Sequence, residues 1–184
     1  LLYVLLERWA GPRLELETHG NRGQRVLSES IPLRGVVGCL LSNELVDIFP
    51  VHRVVMQGGK LREVYVTLKY DSFTELVDEP STPLLQQQLE GLGVSLPEGF
   101  RAEISLALEP WMEQVSAMLE KGFGITIDYG HPAEELYSQK RSNGTLRCYY
   151  KHTLEANPYI RVGEQDITTH VDFTTLMRVG ERCG

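Results

Sequence analysis

GVVGCLLSNELVDIFPVHRVV, residues 35–55, carries the reading of the fold. Its first half, residues 36–41, is a short continuous apolar run, the pattern of a strand buried on both faces of a parallel sheet. The run ends at Asn43-Glu44-Leu45-Val46-Asp47. Open α/β sheets bind ligands just beyond the carboxyl ends of their strands. Three polar groups, two of them acidic, therefore fall where such a fold does its chemistry.

On the amino-terminal side, residues 3–6 read as a buried strand closing at Glu7. Residues 9–34, punctuated by Gly11-Pro12, Gly20 and Gly23, hold at most a short helix. On the other side, residues 51–55 and 61–68 around Gly58-Gly59 form a β-hairpin, with Val64, Val66 and Leu68 alternating against Glu63, Tyr65 and Thr67. Ser81-Thr82-Pro83 opens a helix that runs to about residue 92. Gly91, Gly93 and residues 97–99 turn the chain. A second helix runs from about residue 105 to 121, with Trp111, Val115, Met118 and Leu119 on one face and Gly122 as its stop. Residues 124–127 form another apolar strand, closing at Asp128-Tyr129-Gly130. Residues 131–144 are a polar connection, residues 145–150 and 167–173 are extended, and a last helix begins over 174–179.

This alternation predicts an α/β fold with a mainly parallel sheet. Residues 1–50 and 105–184 form the core sheet and helices, and 51–104 an inserted hairpin and helix. The 184 residues, 42% hydrophobic and 23% charged, suit one globular domain. A formal net charge of −7 argues against a sequence-independent nucleic-acid binder. No apolar stretch approaches the roughly 20 residues that span a bilayer, so no membrane insertion is expected. LLYVLL at the start is followed at once by Glu7 and Arg8 and is not a secretory signal. Cys39, Cys148 and Cys183 form no CxxC pair and no disulfide framework, which fits a reducing compartment. The chain starts inside a core-strand pattern without Met and stops just after a helical one, as a piece of a longer protein would. Nothing in it sets an oligomeric state.

Glu44 and Asp47 are three apart and would share a face of a helical turn. Such a pair can grip a guanidinium, which stays protonated to above about pH 12 and is a poor nucleophile until a carboxylate orients it. Equally, acids in that position complement the dipole of a helix N-terminus. Glu7 at a strand end suits a ribose or plain solvent. Asp128 and Tyr129 stand at a third strand end. If these strands are parallel neighbours, their acidic ends line one crevice. In 165–173, Asp166, Thr168, His170 and Asp172 alternate with Ile167, Thr169, Val171 and Phe173, which makes either a solvated strand or the wall of a site. Asp166, His170 and His52 could bind a metal for hydrolysis, but no ligand spacing supports it. There is no GxSxG, HExxH, Walker loop or GxGxxG; a glycine-rich first turn would have to lie before Leu1.

The chain resembles the MidA-type methyltransferases, which include the mitochondrial complex I assembly-factor methyltransferase and its bacterial relatives. The resemblance rests on four ordered blocks: NELVDIFPVHRV at 43–54, ITIDYG at 125–130, GTLRCYYKH at 144–152 and GEQDITTHVDF at 163–173. YVLLER at 3–8 is similar to the family's second strand. Val46, Ile48 and Trp9 depart from the family pattern. The resemblance implies a class I, Rossmann-like fold, S-adenosyl-L-methionine as cofactor, and methyl transfer to a protein arginine of a complex I type subunit as symmetric dimethylarginine. It implies Glu7 on the cofactor ribose, and Asn43, Glu44 and Asp47 facing cofactor and substrate, with catalysis resting on them. Asp128, Tyr129, Asp166 and His170 fall on the substrate side. The location implied is the mitochondrial matrix in a eukaryote or the cytoplasm in a bacterium. The alternative is a methyltransferase-like scaffold that binds an assembly client without chemistry.

Overall fold

The structure, a computed structural model, describes residues 31 and 33–184, together with the strand backbones of 3–7, 13–17 and 24–27. Trp9 lies outside the described residues, as does the side chain of Glu7. In chain order the strands β1 (Tyr3–Glu7), β2 (Arg13–Glu17), β3 (Gln24–Leu27) and β4 (Val36–Asn43) come first. Then follow β5 (His52–Gln57), β6 (Lys60–Lys69), β7 (Ser72–Asp78), α1 (Leu84–Leu92) and β8 (Arg101–Ile104). After α2 (Leu108–Met118) come β9 (Leu119–Ile127), β10 (Gly130–His131) and α3 (Ala133–Leu136). The chain continues through β11 (Arg147–Tyr150), β12 (Thr153–Glu155), β13 (Asp166–Thr168), β14 (Val171–Asp172) and α4 (Phe173–Cys183). These elements form two units: Leu1–Val46 with Leu108–Asp128 and Leu176–Gly184, and Asp47–Ala107 with Tyr129–Thr175. The inserted segment thus belongs with 129–175, which the sequence had placed in the core.

In the first unit β4 and β9 pair in parallel, as their apolar runs predict, with Asn43 opposite Ile127. The face of β9 that carries Gly122 and Gly124 meets α2, where a Cβ at Gly124 would touch Val115. Trp111, Val115 and Met118 of α2 are buried, as are Leu176 and Val179 of α4. Gly122 is not a helix stop. The chain passes from Met118 of α2 directly to Leu119 of β9, and Gly122 sits mid-strand at φ 150. It is glycine because a Cβ there would lie 1.7 Å from the carbonyl oxygen of Gly38 on β4. The opposite face of the pair shows Val37, Phe123, Ile125 and Ile127 to solvent. Residues 9–34 also differ from expectation. They hold β2, which pairs antiparallel with β1, and β3, which pairs antiparallel with β2. The alternation in RLELE is a period-two strand signal that the flanking Gly and Pro obscured.

The second unit is built on a four-stranded sheet in the order β7-β6-β5-β8, antiparallel throughout. The expected hairpin is its centre; β7 and β8 are additions. Strands joined by tight turns must pair antiparallel. Parallel strand pairs among the described residues are β4–β9 and β10–β14, with one isolated parallel bridge between Arg101 and Asn143, less than the sequence suggested. The turn at Gly58-Gly59 is held by Glu98, whose carboxylate accepts both glycine N–H groups at 2.8 and 3.0 Å. One face of the sheet, with Val54, Leu61, Ala102 and Ile104, packs on Leu85 and Leu89 of α1. Full burial of such side chains contributes about 1.5–3 kcal/mol each. Gly93, left-handed at φ 72, closes α1 by donating to the Glu90 and Leu89 carbonyls. A second sheet runs β12-β11-β13. The polar connection contains α3 and a 3-10 turn, Gln139–Arg141. Among the described residues no helix is long and apolar enough to cross a membrane.

Candidate active site

The first unit sets out the end of β4. Parallel pairing continues one residue past the strand, where the Glu44 N–H donates to the Ile127 carbonyl at 2.9 Å. Glu44 then turns the chain in the left-handed region, at φ 48, with its side chain exposed beside exposed Asn43. Such a conformation is uncommon for a residue with a Cβ, and it clusters at functional sites. Asp128, at the end of the neighbouring strand, holds the turn. Its Oδ2 accepts the N–H groups of Leu45 at 3.1 Å and Val46 at 2.9 Å. Below them Ser42 donates to Thr126 across the pair at 3.1 Å. Two of the three acidic strand ends are therefore adjacent, and one of them is committed to shaping the other's loop.

Glu44 and Asp47 do not share an exposed face. A left-handed residue followed by a 3-10 turn, Val46–Ile48, replaces the expected helical turn. Asp47 is 6% exposed, while Glu44 reaches solvent. The carbonyl of Asp47 accepts the Thr169 N–H at 2.9 Å. The Glu7 side chain lies outside the described residues, so the ribose end of the expected site has no geometry here.

In the second unit Tyr129 is exposed, and its carbonyl accepts the N–H of Val171. Asp166 lies on β13 opposite Tyr149. The expected single strand from 166 to 172 is broken at Thr169-His170, because β13 pairs with β11 while β14 pairs with β10. The His170 N–H donates to Thr145 Oγ1 at 3.1 Å. Its ring stands 5.1 Å from that of His131, tilted by 46°. His131 Nε2 lies 2.8 Å from Arg141, which also binds Glu135 at 3.0 Å. Burial, then His131, Arg141 and Arg147, push the His170 pKa down and keep the ring neutral near pH 7. Asp172 is buried and caps α4, accepting from Thr174 N, Thr175 N and the Thr175 hydroxyl. His52 is bound to Glu63 at 2.7 Å rather than joined to His170 and Asp166.

The sequence from 24 to 184 matches the family described as "Putative S-adenosyl-L-methionine-dependent methyltransferase". The chain belongs to this family. It is 27% identical over 156 residues to the mitochondrial protein arginine methyltransferase NDUFAF7 homolog of Drosophila melanogaster, covering 79% of this chain and 32% of the relative. Its fold is similar to a crystal structure of an uncharacterized superfamily protein from Burkholderia thailandensis, with TM-score 0.78 and 31% identity over 86% of this chain and 42% of that one. It is similar also to a member of the same superfamily, from the same organism, bound to S-adenosyl-homocysteine, with TM-score 0.77 and 31% identity over 86% of this chain and 41% of that one. The chain thus spans about a third of the fly protein and two fifths of the bacterial ones.

The α/β, class I methyltransferase reading of the sequence agrees with these relatives. The family's cofactor suits the described end of β4. An exposed amide and carboxylate beyond a parallel pair match a ligand that carries a cationic sulfonium, an ammonium and hydroxyls. Asn43 and Glu44 are the described residues that would hold it. The function of Asp128 as keeper of the loop was missed from sequence. Its signal was there, an acid ending the strand next to the one that ends at Asn43-Glu44.

Proposed function

We propose that the whole protein transfers the methyl group of S-adenosyl-L-methionine to an arginine of a partner protein, and that this chain supplies the segment facing both. The observation that carries this is the exposed Glu44, held left-handed at the end of β4 in a chain of this family. The name of the fly relative supports the arginine. The four sequence blocks shared with the MidA-type enzymes support a complex I type subunit as substrate, in the mitochondrial matrix or the bacterial cytoplasm.

When bound, the cofactor supplies an electrophilic methyl group. The rest falls to the protein. Glu44 pairs with the guanidinium and turns one nitrogen toward the methyl, at a fixed distance that replaces a chance encounter. Its charge offsets the cation throughout transfer, and the proton lost from nitrogen leaves toward solvent on that side. Asn43 holds the cofactor side of the same turn. Asp128 keeps the Leu45 and Val46 amides in place, so the loop does not have to reorganise on binding. Asp47, buried, supports the turn that follows. Asp166, Tyr129 and His170 belong to the substrate side, where a neutral His170 places no cation against an incoming arginine.

Titration calorimetry of the whole protein with S-adenosyl-L-methionine tests the reading. Saturable binding at micromolar to low millimolar cofactor is expected. No heat at millimolar cofactor would instead favour the scaffold that binds a client without chemistry.

A further inference from the structure

We draw no further inference here: the strongest candidate, the open apolar cavity of about 300 Å³ that Val66, Phe73, Val162 and Ile167 line in the second unit, carries nothing, because its lining polar side chains, Arg53 and Tyr159, already bind Glu75 and nothing in the structure shows what covers it.

Discussion

At the scale of single residues, buried and half-buried carboxylates position the chain, and two of them are committed to named donors. Asp128 binds two backbone amides of the turn after β4. Asp128→Ala leaves both unpaired, and hydrogen bonds to charged groups contribute about 1.5–3 kcal/mol each. Urea unfolding should show a loss of about 3–6 kcal/mol for the two bonds together, with Asp128→Asn, which keeps an acceptor, losing less. Glu63 is a second case. Burial would raise its carboxyl, but the Ser81 N–H, His52 and the Tyr65 hydroxyl hold it down at about 2, against an ordinary 4.5. A carboxyl lowered by folding stabilises fully above its ordinary value, and that contribution is lost as pH falls through the folded one. The melting temperature should therefore drop between pH 4.5 and 2, and Glu63→Gln should flatten part of that drop while lowering stability at pH 7.

At the scale of elements, the sequence was most legible where one local rule acted alone. The apolar run of β4, the Gly58-Gly59 hairpin, Ser81-Thr82-Pro83 before α1 and the stripe of α2 each appear close to the expected place. It failed where a tertiary contact overrode the local rule. Gly122 after a helical pattern reads as a stop, yet it serves the close approach of β9 to Gly38. Thr169-His170 look like mid-strand residues, yet separate pairings of β13 and β14 interrupt them. Two glycine substitutions check this account by thermal melting. Gly122→Ala collides with backbone and should cost on the order of 4 kcal/mol or more. Gly91→Ala, inside α1 with open space around it, should instead stabilise by about 0.5–1 kcal/mol.

For the whole molecule, family and cofactor were legible because four blocks recur in order, and the acid at the end of β4 was legible from its place after a strand. The burial of Asp47 was not, since five letters do not distinguish an α turn from a left-handed residue and a 3-10 turn. The organisation into two units, with 129–175 joining the inserted sheet, was also hidden, because β11 and β13 are too short to show a period. The exposed apolar face of β4 and β9, where Phe123 is 75% accessible, makes a further prediction. Apolar patches of this kind drive association. Sedimentation of the 184-residue chain should depend on concentration, and Phe123→Lys should weaken that dependence. The claim on which the rest depends is that Glu44 orients an arginine for methyl transfer. Its most direct test is methylarginine formed by the whole protein from labelled S-adenosyl-L-methionine, on protein from cells lacking the enzyme, for wild type and Glu44→Gln. The account predicts a loss of roughly 100-fold or more at saturating cofactor; equal methylarginine from the two proteins would contradict it.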